Sequence, residues 1–171
     1  MMAKTFPGQY TADLDGDFVV FLIGMRVNKP WAVRRWWPTF TAMRPMIKEL
    51  DEQPELGLLH AELGWLGGPF VAQYWRSFEH LAAYARDNEH LHLPAWKEWN
   101  RSARASNAVG IWHETYKVGA DEYESIYGNM PRKGLAFAGA HEPVSRKGLS
   151  AARRIGATEE DVPAVVYHGE G

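Results

Sequence analysis

Residues 18–28, FVVFLIGMRVN, constrain the fold more than any other stretch of the chain. The density of Val, Ile and Phe marks a β-strand. Alternation places Val19, Phe21, Ile23, Met25 and Val27 on one face. Phe18, Val20, Leu22, Gly24, Arg26 and Asn28 take the other. Both faces are apolar for most of their length, so both need cover. Whatever the chain folds into must place this strand centrally, with a layer on each side.

The rest of the pattern supplies one of those layers. Residues 36–51, WWPTFTAMRPMIKELD, suit a helix, with Trp36, Phe40, Met43, Ile47 and Leu50 as one apolar stripe. Pro38 is tolerable in a first turn, whereas Pro45 should kink the helix or split it. Two strands follow, about 57–65 and 70–76, joined by a Gly-Gly-Pro turn. Ser77 is placed to cap a helix running to Arg86. A second helical piece fits 94–104, with Pro94 at its first position. Residues 109–118, VGIWHETYKV, form the fourth strand. The order β-α-β-β-α-β predicts an α+β, ferredoxin-like sheet with its helices on one face. The other face is left bare, and a second copy of the chain is the economical cover, giving a homodimer. Residues 1–16 read as an N-terminal arm and 17–118 as the domain. Residues 119–171 read as an extension, partly ordered from Lys133 onward, whose YESIYGNMP segment wraps a partner or closes the pocket.

Composition narrows the function classes. The chain has no cysteine, which excludes disulfides, thiolate metal sites and cysteine nucleophiles. Its net charge of −2 offers nothing to nucleic acid or an anionic membrane. The eight-residue run FVVFLIGM is too short for a signal peptide or a membrane span, so a soluble, cytoplasmic protein is expected. Eight tryptophans within 13% aromatic content favour a pocket for flat, apolar ligands. No glycine-rich phosphate loop or G-x-S-x-G elbow is present. His60-Ala61-Glu62 opens like the zinc-deaminase signature, but that signature needs a later cysteine pair.

The segments QYWRSFEHLAAYAR, HLPAWKEWN, VGIWHETY and YESIYGNMP, in that order, carry a family resemblance. Over about residues 17–140 the chain resembles a small monooxygenase-like family related to a fungal monooxygenase of fumagillin biosynthesis. That group is similar to the antibiotic-biosynthesis-monooxygenase superfamily of dimeric α+β barrels. The resemblance implies a ligand held between sheet and helices of each protomer, in secondary metabolism. It implies either a cofactor-free oxygenase or a haem enzyme, since haem-degrading proteins and haem-dependent aldoxime dehydratases are structural relations. Haem-degrading relatives use a histidine of the second helix as axial ligand. That region here holds His90 and His92, with Trp96 nearby.

Two histidines carry the candidate chemistry. His113 lies mid-strand on the face of Val109 and Ile111, where desolvation would favour a neutral base. It is suited to taking a proton from a phenol or enol, to ligating haem iron, or to a structural hydrogen bond. His92 has the same three options. Arg76 is suited to a carboxylate, a haem propionate or an enolate oxygen, and Arg26 or Asn28 could serve the developing oxyanion instead. His60 is expected on the dimer side, with Glu62. The substrate wall is expected from Trp96, Trp99, Trp65, Tyr74, Tyr116 and Phe21. No structural metal ion is expected, and the cofactor is either none or haem. The favoured function is oxidation of a small apolar or aromatic metabolite. A haem-dependent lyase of the aldoxime-dehydratase type, or a binding protein without turnover, are the alternatives.

Overall fold

The doubly apolar strand lies second from one edge of a four-stranded sheet. In the computed structural model, which describes residues 3–87, 89–101 and 106–157, the strands in chain order are β1 (Phe6–Asp13), β2 (Phe18–Val27), β3 (Leu58–Trp65), β4 (Pro69–Trp75), β5 (Val109–Val118), β6 (Tyr127–Met130) and β7 (Ala140–Pro143). The helices are α1 (Val33–Glu52), α2 (Phe78–Arg86), α3 (His92–Trp99), α4 (Leu135–Ala138), α5 (Val144–Lys147) and α6 (Ala151–Arg154). The chain divides into two units: Asp17–Val118, and its two ends, up to Gly16 and from Gly119. Among the described residues no helix is long and apolar enough to cross a membrane.

The unit Asp17–Val118 has the ferredoxin-like arrangement. Its strand order is β3-β4-β2-β5, antiparallel throughout, and the sheet is open. Register pairs Val19 with Trp75, and Ile23 with both Val71 and His113. One face therefore gathers Val19, Phe21, Ile23, Val71, Gln73 and Trp75. The helices pack on that face, where Val19, Leu50, Leu58, Trp75, Leu81 and Tyr84 form a buried cluster. Trp75, only 1% exposed, is its largest side chain. Ser77 caps α2, its Oγ accepting from the His80 N–H.

Three local expectations are corrected. Helix α1 begins at Val33 and runs unbroken through Pro45. Pro45 removes a single backbone donor, and the burial of Met46 and Leu50 just beyond it keeps the helix on the sheet. The packed stripe is Thr39, Ala42, Met43, Met46 and Leu50, while Phe40 turns outward to stack on Trp37. In β3, strict alternation would set Leu58 beside His60, but a register shift between them turns Leu58 into the core and leaves His60 on the outer face beside Tyr74.

The two ends of the chain form a sheet of their own. Its order is β6-β1-β7, with Tyr10 paired to both Tyr127 and Pro143. Residues 6–13 supply the central strand of this sheet, and the described residues beyond Lys133 include β7 and three short helices. The Ser125 and Tyr123 hydroxyls accept from the N–H groups of Ala12 and Leu14, and Lys147 pairs with Asp13 at 2.5 Å. At the centre, His141 is 9% exposed, stacked on Tyr10 at 4.6 Å with Phe6 and Tyr127 edge-on. Neither ring nitrogen has a hydrogen-bond partner among the described residues.

Burial and the Arg132 charge lower the His141 pKa, against a smaller opposing effect of Glu142. Its folded pKa thus lies below its unfolded value. The associated stability is complete above that unfolded value, about 6.5, and is lost as pH falls through the folded one. Amide protection factors in β1 and β7 should therefore fall between pH 7 and 5. In His141→Phe, which keeps the ring stack, that pH dependence should disappear.

Candidate active site

Alternation in β2, β4 and β5 leaves Phe21, Ile23, Gln73, Trp75, Ile111, His113 and Thr115 facing the helices. Above them α1 offers its Thr39–Leu50 stripe, α2 offers Leu81, Ala82, Tyr84, Ala85 and Arg86, and α3 offers His92, Trp96 and Trp99. The two layers do not close on each other. They enclose a cavity of about 810 Å³, within the range of small-molecule sites. Trp96 and Trp99 sit three residues apart on α3, so their rings stack, at 4.8 Å and 25°, into one aromatic wall.

His92 is the best-defined polar group in the wall. Its Nδ1 stands 3.1 Å from the Ala85 carbonyl oxygen, which can only accept. Nδ1 must therefore carry the proton, and in the neutral ring Nε2 keeps a free lone pair. Burial lowers the His92 pKa, the Ala85 carbonyl opposes this, and the charge of nearby His113 lowers it further. His92 is thus a neutral imidazole near pH 7 with its basic nitrogen unspent. His113 also lines the cavity, tilted against Phe21 at 5.6 Å, but it is exposed rather than desolvated. The reason is topological: β5 is the edge strand, so helices cover only one flank of His113.

The roof is tied together by a residue that pattern reading missed. The Glu49 carboxylate on α1 accepts from the Tyr84 hydroxyl on α2 at 2.7 Å and from the Leu91 N–H at 3.2 Å. The His90 ring lies 3.3 Å from its other oxygen. Burial acts to raise the Glu49 pKa, but these hydrogen bonds outweigh it and hold the carboxyl below its ordinary value. Burial and the same carboxylate push the Tyr84 phenol far upward. His90 is consequently a structural partner and His92 the cavity group, their side chains diverging across the break before α3. A glutamate among KELDE resembles any solvated helix residue, so the only signal was its position one residue before the buried Leu50.

Gln73 was also missed. It is a buried polar side chain between Val71 and Trp75 on the inward face of β4, and its Oε1 accepts from the Trp75 indole at 2.9 Å. A polar residue at an inward position of FVAQYW was the available signal.

Of the expected wall, the cavity contains Trp96, Trp99 and Phe21. Tyr74 and Tyr116 belong to the opposite face: Tyr74 stacks with His60, and the Tyr116 hydroxyl donates to Glu114. Trp65 has the inward parity but sits at the β3–β4 hairpin tip, 74% exposed. Arg76 and Arg26 likewise have the outward parity and are exposed. Asn28 lies past the end of β2 and donates to Asn107. The cation that does line the cavity is Arg86, in the last turn of α2. Among the described residues no three His, Asp or Glu side chains converge on a metal site.

The Glu49 node predicts a measurable stability term. Glu49→Ala should destabilise the unit by about 2–3 kcal/mol, the scale of buried hydrogen bonds to a charged acceptor. Urea unfolding followed by tryptophan fluorescence reads it. Because the folded pKa is depressed, the part of this stability linked to ionisation should be full above about pH 4.5, the ordinary value, and be lost as pH falls through the lowered one.

Comparison with known proteins follows the same outline. Monooxygenase af470 of Aspergillus fumigatus is 31% identical over 126 residues, covering 67% of this chain and 43% of that protein. The chain therefore spans less than half the length of that relative. An aldoxime dehydratase, OxdRE, crystallised with butyraldoxime, superposes with a TM-score of 0.60 at 14% identity, covering 78% of this chain and 40% of the dehydratase. SnoaB, a cofactor-independent oxygenase from Streptomyces nogalater, gives a TM-score of 0.41 at 13% identity over 58% of this chain and 91% of its own. The first of these structures supports the fold. The pattern of the Monooxygenase af470-like family matches residues 18–135, and the chain belongs to that family.

Proposed function

We propose that the chain is a small monooxygenase-like enzyme that oxidises an apolar or aromatic metabolite in the cavity beneath α1, α2 and α3. The observation that carries this reading is His92, fixed by the Ala85 carbonyl so that Nε2 remains a base inside an aromatic chamber. Family membership supports the reaction class. In this mechanism Nε2 removes a proton from an acidic C–H, activated by a neighbouring carbonyl or phenol. The resulting carbanion forms a C–O bond to molecular oxygen. The peroxide anion takes back that proton to become a hydroperoxide, and loss of the second hydrogen of the same CH2 carbon with cleavage of the O–O bond releases water and leaves a new carbonyl. Each substrate consumes one O₂ and releases one water, so no outside reductant is needed. His113 and Arg86, both exposed at the cavity, are placed to relay protons and to attract an anionic substituent. The tryptophans hold the ring and exclude water.

Haem binding is the second reading, and the same hydrogen bond favours it. Iron-ligating histidines commonly donate their other ring N–H to a backbone carbonyl, as His92 does to Ala85. His92, or His113, would hold the iron, and Arg86 would meet a propionate. Bound haem would supply iron redox and Lewis-acid chemistry, suited to a lyase as well as an oxygenase.

A homodimer completes the proposal. The outer face of the sheet carries Val20, Leu22, Phe70, Tyr74, Trp112 and Tyr116, all partly or largely exposed. Trp112 lies over Gly24, where any Cβ would meet its ring at 2.6 Å, and packs beside Phe70. Such a surface favours association through the sheet.

Oxygen uptake with anthrone as the probe tests the first reading. His92→Ala should lower kcat/KM by about 10²–10⁴-fold, the usual share of a general base. The wild-type rate should fall only as pH drops below the ordinary histidine value of 6.5. Binding of anthrone without oxygen uptake would leave a sequestering protein. A Soret band in protein expressed with a haem precursor, lost in His92→Ala, would select the haem reading. Light scattering at micromolar concentration should give twice the chain mass, and Trp112→Glu should halve it.

A further inference from the structure

We propose that the Gln73 carboxamide reads the substrate's oxygen, so that the cavity selects a flat, apolar molecule carrying a carbonyl or enolate oxygen. The inference rests on the cavity described above and names the substrate class for it. Gln73 is 5% exposed and lines the cavity from the middle of β4. Its orientation follows from its neighbour. The Trp75 indole N–H only donates, so the atom 2.9 Å away must be the carboxamide oxygen. The amide nitrogen is thereby turned to the other side, toward Met43, another cavity residue. Its partner there among the described residues is the Met43 sulfur at 4.0 Å, a weak acceptor at long range.

An amide with two N–H donors, buried and so poorly matched, is a site lacking its acceptor. A second donor is in the same position. Trp99 also lines the cavity, and its buried indole Nε1 has no partner among the described residues. Two buried donors, one with a weak sulfur acceptor and one with none among the described residues, ask for a ligand that brings acceptor oxygens. An amine or other cation would meet donors instead of acceptors, and a pure hydrocarbon would leave both unmatched. A carbonyl satisfies the donor in the ground state. As His92 removes the proton, charge accumulates on that same oxygen and the hydrogen bond strengthens, which is where an uncharged amide helps most.

The test uses two planar isosteres, 2-acetylnaphthalene and 2-isopropenylnaphthalene, which differ in a single acceptor oxygen. Quenching of the cavity tryptophans gives the affinities, and infrared difference spectra give the stretch of the bound ketone carbonyl. In wild-type protein the ketone stretch should be red-shifted from its value in an apolar solvent. In Gln73→Met the shift should shrink and the ketone-to-alkene affinity ratio should fall by about tenfold. Gln73→Glu, measured at pH 8, keeps an acceptor for Trp75 and guards against misfolding of the methionine variant; it should lose the ketone preference too. An unchanged ratio and an unchanged stretch in these variants would overturn the assignment of Gln73 while leaving the cavity intact. Failure of wild-type protein to bind either naphthalene would instead overturn the cavity reading, and this inference with it.

Discussion

One carboxylate joins the three helical segments that roof the sheet. Glu49 takes hydrogen bonds from Tyr84 on α2 and from the backbone at Leu91, just before α3, while belonging itself to α1. Three helical segments are thus fixed to a single point on the core side of the roof. Around that point the cluster of Leu50, Leu58, Trp75, Leu81 and Tyr84 is fully packed. Toward Trp96 and Trp99 the layers part to leave the cavity. Ala85, one residue after Tyr84, then presents the carbonyl that orients His92. Packing and chemistry share the same turn of α2.

The fold was largely legible in the sequence because its determinants are local and periodic. A strand apolar on both faces, a Gly-Gly-Pro hairpin and the Ser77 cap each announce themselves within a few residues. The errors have a common origin in tertiary context. Pro45 does not break α1 because burial on its C-terminal side outweighs one lost hydrogen bond. The shift between Leu58 and His60 is a property of the β3–β4 pair and cannot be read from β3 alone. The sheet of the two chain ends joins segments more than a hundred residues apart through short strands, which leave little trace in a linear pattern.

The candidate site was legible in part. Phe21, Trp96, Trp99, His92 and His113 line the cavity, and rings and imidazoles stand out in any sequence. Parity puts Tyr74, Tyr116, Arg76 and Arg26 on the face of the sheet away from this cavity. Trp65 failed on position, since the hairpin tip lies beyond the helices. Arg86, Glu49 and Gln73 were missed for the opposite reason. Their side chains look ordinary until the fold shows what they touch. Cavity polarity depends on Arg86 and Gln73, because a wall rich in tryptophan binds many flat molecules and discriminates among few.

The account turns on the protonation state of one ring. The most direct measurement is a long-range ¹H–¹⁵N spectrum of histidine-labelled protein, recorded across pH. The structure requires His92 in the Nδ1–H form at neutral pH, with Nε2 showing the shift of an unprotonated nitrogen, and a midpoint displaced to the acid side of free imidazole side chains. A ring protonated at Nε2, or one that gains its second proton more readily than a solvent-exposed histidine, would contradict it.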